Sequence, residues 1–188
     1  MKYKILLASK SPRRREILGL LRIPFTVVTI DGIDESYPED LEPDKVSEYI
    51  SEKKAEAFLK RIREDELIIT ADTIVICDGK ILGKPKGEEG AFEMLRFLSG
   101  KTHKVTTGVT VATKEKKVSF TSESLVTFAE LTDEEIRYYV ETYRPLDKAG
   151  AYGIQEWIGA VAVAKIDGSF YNVMGLPVHR LYQVLKQF

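Results

Sequence analysis

The chain has 188 residues, 44% hydrophobic and 30% charged, an ordinary globular composition with material for one domain or two small lobes. Its 28 Lys and Arg against 29 Asp and Glu give a formal charge of −1, so it lacks the overall basic bias of a general nucleic-acid binder. Any polyanion site must therefore be a local gathering of cations. The single cysteine, Cys77, excludes an intrachain disulfide and a multi-cysteine metal centre. No apolar run approaches the ~20 residues of a membrane span, and MKYKILLASKS is charged too soon for a signal peptide, so a cytoplasmic protein is expected.

Residues 3–8 read as a buried strand and 12–21 as a helix with Ile17, Leu18 and Leu21 on one face. A second strand is expected over 25–30. Pro43 then opens a helix to about residue 61, with Val46, Tyr49, Ile50, Ala57 and Phe58 as its apolar stripe. Residues 67–76 form a strand that CDGK turns into the short strand ILG. A helix over 88–98 follows, with Ala91, Met94, Leu95 and Leu98 inward, and then strands near 104–112 and 117–128. Thr132 and Glu135 are spaced as a capping box for a helix to about 142. Two strands near 158–166 and 169–174 and a final helix from Pro177 complete the reading. The order predicts an α/β protein with a mixed rather than purely parallel sheet.

Four stretches carry chemistry. In LASKSPRRREIL, Ser11 and Pro12 occupy the N-cap and first helical position, which places Arg13, Arg14 and Arg15 in the first turn. That turn bears the positive end of the helix dipole and ordinarily favours acids. Hydroxyls of Ser9 and Ser11, open backbone N–H groups and guanidinium groups converging there make a place for a phosphate chain, although no P-loop pattern is present. In TADTIV, Asp72 interrupts an apolar strand, where a charge needs a cation, a metal or solvent. It is a candidate general base or metal ligand. The acidic loop DGIDESYPED offers Asp34 and Glu35 as oxygen ligands for Mg2+ or Mn2+ beside Asp72. Either Lys53 or Lys54 reaches inward from its helix, and Pro85 stiffens the turn that carries Lys84. In DKAGAYGIQ, Gly150 and Gly153 permit close backbone approach, and Tyr152 and Gln155 are placed to stack on or bond to a base. His103 and His179 show no ligand spacing and are expected in packing or surface roles; no G-x-S-x-G elbow exists.

Taken in order, LASKSPRRREIL, GIDE, SEKKA, ADTIV, GKP, LSGKTHKVTTGV, PLDKAGAYGIQ and VMGLP resemble the Maf family of nucleotide pyrophosphatases over nearly the whole chain. The resemblance implies one Maf-like domain over 1–188, with two lobes around an elongated mixed sheet, helices flanking it, a central cleft, and kinship to the inosine triphosphate pyrophosphatases. It implies metal-dependent cleavage of a nucleoside triphosphate to the monophosphate and pyrophosphate, a housecleaning activity with a link to cell-division arrest. Residue by residue, Asp72 matches the catalytic proton acceptor. Ser9, Arg13, Arg14, Lys54 and Lys84 match the triphosphate-binding set, and Glu35 with Asp72 the metal site for Mg2+, Mn2+ or Co2+. The dTTP/UTP type resembles this chain at its specificity positions, Arg13, Thr73 and Gln155, whereas the S-P-W-R-R, S-D-Q and S-E-G segments of the 7-methyl-GTP type are absent. The expected partner is a small-molecule nucleotide, with no stable nucleic-acid partner, no membrane, and a homodimer implied by family. Rival readings are a nucleotide-binding cell-division regulator without turnover and an inosine-triphosphate-type purine enzyme.

Overall fold

In the computed structural model, which describes residues 2–188, the first apolar run is strand β1 (Lys4–Ala8), followed by helix α1 (Pro12–Gly19) and strand β2 (Phe25–Val28). Helix α2 (Pro43–Leu59) leads to the long strand β3 (Glu66–Cys77). The two helical crossovers let β1 pair in parallel with both β2 and β3, the last β1–β3 partners being Ala8 and Thr70. Asp78 and Gly79, both at positive φ, turn β3 into β4 (Lys80–Leu82), which pairs antiparallel with it. Helix α3 (Gly87–Leu98), strands β5 (Thr102–Ala112) and β6 (Lys117–Phe128) and helix α4 (Asp133–Tyr143) follow. After a short 3-10 turn at Ala149–Ala151 come helix α5 (Trp157–Ala162), strand β7 (Val163–Asp167), and helices α6 (Phe170–Met174) and α7 (Val178–Leu185). Among the described residues seven strands form one mixed sheet, ordered β2-β1-β3-β5-β6-β7 with β4 on β3, as the alternation of elements predicts. No helix among the described residues is long and apolar enough to cross a membrane.

The chain divides into two compact units, Met1–Thr73 with Thr107–Ser122 and Gly175–Phe188, and Ile74–Thr106 with Glu123–Met174. In the first unit Ala8, Ile68 and Ala112 of the sheet pack with Phe58 and with Ile62 just beyond α2. The inward face of α2 differs from the apolar stripe expected of it. Tyr49 and Ala57 are only half-buried, whereas Ser47, Ser51 and Ala55 are buried. Small side chains let the helix come close to β5, where a Cβ at Gly108 would run into the backbone of Ser47 and Glu48. The buried hydroxyl of Ser51 meets Thr110 Oγ1 at 2.8 Å, and its carbonyl accepts from Thr70 Oγ1 at 2.7 Å. A hydroxyl-bonded seam thus holds α2 on the strands where the sequence shows only polar breaks in a stripe.

In the second unit Ala91, Leu95 and Leu98 of α3 are buried as expected, and Met94 is half-buried. The capping box of α4 is present, with Thr132 Oγ1 accepting from Glu135 N–H and Glu135 accepting from Thr132 N–H. Two predicted strands are corrected. Residues 157–162 form α5 before β7 begins, and 170–174 form α6. An apolar run as short as WIGAVAVA fits a buried helix as well as a strand. Gly159 gives α5 room against the Ile154 carbonyl, and Ser169 Oγ accepts the Asn172 N–H at 3.3 Å to start α6. His103 is 1% exposed, 2.7 Å from the Tyr152 hydroxyl and edge-on to Phe128, the packing role expected of it. Burial holds it down at about 4.

Two stability measurements follow from this packing. Gly108→Ala, forced against the α2 backbone, should lose about 1–3 kcal/mol or more in urea unfolding. The folded-state pKa of His103 lies below that of the unfolded chain, so the unfolded state takes the proton first as pH falls. The His103 contribution is complete above about pH 6.5 and is lost as pH falls toward about 4, roughly 3 kcal/mol in all. His103→Phe should therefore show a shallower fall in stability than the parent between pH 7.5 and 4.5.

Candidate functional site

Strand β3 exposes opposite faces at alternate residues, so Thr70 and Asp72 look toward α2 while Ala71 and Thr73 do not. Asp72 is met there by Lys54, whose Nζ lies 2.8 Å from Asp72 Oδ1 and 2.8 Å from Glu35 Oε1. The Lys54 and Asp72 side chains are each 14% exposed, and Glu35 reaches in from the solvent side at 51%. A buried carboxylate on an apolar strand is thereby paired, and a second carboxylate is drawn to the same cation. Lys53, about 100° round the helix from Lys54, turns away. Its Nζ donates to Asp34 Oδ2 and to the Ser36 carbonyl, both at 2.8 Å. The two lysines separate as expected, but Asp34 does not join Asp72. It accepts from Lys53 and then from the hydroxyl and backbone N–H of Ser36, which hold its carboxyl well below the usual carboxylate range. Asp34 thus shapes the loop that presents Glu35.

The arginines of α1 divide. Ser11 is the N-cap residue, but its side chain makes no capping bond; its N–H donates to Ser9 Oγ at 3.1 Å instead. Arg15 is exposed and Arg13 half-buried. Arg14 turns inward. Nε donates to the Gly175 carbonyl at 2.8 Å, Nη1 to the Ala71 carbonyl at 2.9 Å and Nη2 to Thr73 Oγ1 at 3.0 Å. Burial pulls this guanidinium below its ordinary pKa and Arg13 pushes the same way, against Asp72 and Glu35, which raise it. Thr73 Oγ1 also lies 2.9 Å from Thr107 Oγ1. Asp72, Glu35, Lys54, Arg14 and Thr73 therefore form one cluster in the first unit, with the Arg13 charge beside it. Gly175 and Thr107 lie within VMGLP and LSGKTHKVTTGV, but nothing in those segments singles them out beyond a glycine ahead of Leu-Pro and a threonine pair inside an apolar strand.

Lys84 and Gln155 belong to the second unit, and both are exposed. Gly150, at φ +69°, passes so close to Val75 that a Cβ would stand 2.9 Å from its Cγ2, and its N–H donates to the Gly83 carbonyl at 3.1 Å, beside Lys84. The glycines thus serve close packing, as expected. Tyr152 does not face a base: it is buried against His103 and Phe128, and burial pushes its hydroxyl far above the usual phenol range.

The donor set can take a divalent cation in company with a ligand. Glu35 and Asp72 already converge on one positive charge, and carboxylate oxygens completed by phosphate oxygens and water are what Mg2+ takes; an all-oxygen set serves Mn2+ or Co2+ as well. No group of three or more His, Cys, Asp or Glu among the described residues could hold an ion. The residues present thus fit a cation that arrives with the phosphates it shares.

The model of the Maf-like protein family matches residues 4–188. The chain belongs to the Maf-like protein family. Among its curated relatives, a dTTP/UTP pyrophosphatase of Bacteroides thetaiotaomicron is 57% identical over 186 residues, covering 99% of this chain and 96% of that one. A dTTP/UTP pyrophosphatase of Porphyromonas gingivalis is 56% identical over 189 residues, covering 100% and 95%. Among solved structures, a nucleoside-triphosphatase / dITP/XTP pyrophosphatase of Mycobacterium abscessus aligns over 97% of this Maf-like chain and 94% of its own at 13% identity and a TM-score of 0.46, a likeness too distant to bear on the chemistry.

The two adjacent lysines give a direct check on the geometry of this Maf-like site. Lys54→Met should cost about 100-fold or more in turnover, because it strips the charge facing Asp72. Lys53→Met, which loosens only an exposed pair, should stay within a few-fold of the parent in the same nucleotide-hydrolysis assay.

Proposed function

We propose that the chain is a nucleoside triphosphate pyrophosphatase that converts dTTP and UTP to the monophosphate and pyrophosphate. The names carried by relatives more than half identical along nearly their whole length support the reading. One structural observation carries it: a strand carboxylate, Asp72, shares a nearly buried lysine with Glu35 beside the arginine-rich start of α1. A triphosphate brings about four negative charges, and a chain of net charge −1 must collect its cations locally to receive it.

In this reading the oxygen of a water bonds to the α-phosphorus as the bond from that phosphorus to the α–β bridging oxygen breaks, and pyrophosphate leaves with the electron pair. Asp72 takes the proton of the attacking water. Lys54 is drawn from its carboxylates toward the phosphates, and Ser9 and Arg13 supply a hydroxyl and a guanidinium at the helix start. Arg14 adds its charge and the two N–H groups left over from its three protein acceptors. Glu35 and Asp72 would hold a divalent cation, which when bound supplies further positive charge at the phosphoryl oxygens. Lys84 as a phosphate ligand, and Arg13, Thr73 and Gln155 as the groups that select the pyrimidine, rest on the resemblance of their motifs.

The test is product analysis over dTTP, UTP, CTP, GTP, ITP and 7-methyl-GTP with Mg2+ or Mn2+. Pyrophosphate and monophosphate should appear from dTTP and UTP, disappear with EDTA, and fall about 10²–10⁴-fold in Asp72→Asn. Preferred cleavage of GTP or ITP would overturn the pyrimidine assignment, and near-parental turnover in Asp72→Asn would overturn the proton acceptor.

A further inference from the structure

Arg14 makes three hydrogen bonds at the site, and all three are to the protein. Its planar fork presents donors in fixed directions, and three of them end on acceptors contributed by distant parts of the first unit: the carbonyls of Gly175 and Ala71 and the hydroxyl of Thr73, at 2.8–3.0 Å. Ala71 and Thr73 are the residues on either side of Asp72. The bonds fall where β3 has lost a neighbour, because the β1–β3 ladder ends at Ala8 and Thr70, one residue before Ala71. Arg14 meets the strand there in place of another strand, while the Asp72 side chain faces Lys54 of α2.

The third acceptor is shaped for the same purpose. Gly175 sits at φ +114°, a conformation closed to ordinary side chains, and a Cβ there would stand 3.5 Å from Thr73 Oγ1 and 3.7 Å from Arg14 Nε. Thr73 is held from a further side by Thr107 Oγ1 at 2.9 Å. Arg14, Gly175 and Thr107, from three other stretches of sequence, thus converge on the backbone that bears Asp72.

We propose that Arg14, working through the carbonyl of Gly175 and the backbone and hydroxyl on either side of Asp72, is a positioning residue that fixes the direction of the Asp72 carboxylate, and that this outweighs any contact it makes with phosphate. The proposal rests on Asp72 being the proton acceptor of the reaction proposed above. A lysine keeps the charge but cannot reach three acceptors in one plane. Misplacing a catalytic group by about 1 Å costs on the order of 100-fold in rate.

The experiment compares Arg14→Lys and Gly175→Ala with the parent chain by steady-state kinetics on dTTP, calorimetric binding of α,β-imido-dTTP, and amide hydrogen exchange over residues 71–74 without nucleotide. Circular dichroism confirms that each is folded. Arg14→Lys should lose about 100-fold in kcat with the analogue Kd within about threefold, and exchange over 71–74 should quicken. Gly175→Ala, which leaves every cation in place, should lower kcat in the same pattern. A rise in KM and analogue Kd with kcat preserved in Arg14→Lys would make Arg14 a phosphate ligand and overturn the proposal, as would unchanged kcat in both variants. If the parent turns over neither dTTP nor UTP, the functional reading fails by itself. The exchange arm then still decides the placement of Arg14: faster exchange in Arg14→Lys upholds it and unchanged exchange overturns it.

Discussion

Asp72 places a carboxylate, 14% exposed and ion-paired with Lys54, on a strand whose other residues are mostly apolar, and the cost of desolvating that charge constrains much of the first unit. Lys54 must reach it, so α2 must lie close to the sheet. Closeness requires Gly108 beneath the helix and serines rather than leucines on its inner face. Those serines must in turn find hydroxyl and backbone partners on β3 and β5, as Ser51 does with Thr70 and Thr110. On the opposite side of the strand Arg14 meets the same need for order with three hydrogen bonds. A single charge on β3 thus accounts for polar residues that a stability argument alone would replace with apolar ones.

The arginines at the start of α1 carry a positive burden that the helix dipole does not relieve. Three structural arrangements reduce it. Arg15 remains in solvent, Arg14 is neutralised in part by carbonyl and carboxylate neighbours, and Arg13 stands beside a cluster that contains Asp72 and Glu35. A polyanion would complete this balance, which is why a nearly neutral chain can hold a strongly cationic corner.

Much of the fold was legible because its signals are local. Pro12 and Pro43 at helix starts, the Thr132–Glu135 box and the Asp78–Gly79 turn act within four residues, and each stands where the sequence places it. The errors fall where local pattern is silent. WIGAVA and FYNVM are too short to display a period, and their helical state depends on room beside Gly159 and a bond to Ser169. The face of α2 departs from its sequence pattern because a serine bonded to a buried threonine looks in sequence like a serine in water. At the site, Asp72 stands out in the sequence as a charge inside an apolar strand, whereas Glu35 is offered only together with Asp34 and Lys54 only as one of two adjacent lysines; the structure selects Glu35 and Lys54 and brings them to Asp72. Tyr152 departs from the expected base-stacking role because an aromatic in a glycine-rich loop has the sequence look of a base platform, whereas His103 and Phe128 pack on it. The inward turn of Arg14 was invisible, since two of its three acceptors are backbone carbonyls that any sequence would supply.

The Arg14–Gly175 bond joins residues 161 positions apart. A ribosome delivers Arg14, Ala71 and Thr73 early and Gly175 only after most of the chain has emerged. Until then the guanidinium has water in place of its third acceptor, and the strand end around Asp72 lacks one of its anchors. The nascent protein can therefore build most of its sheet while the strand end around Asp72 lacks its full set of bonds, and that end is completed only as the last helix arrives.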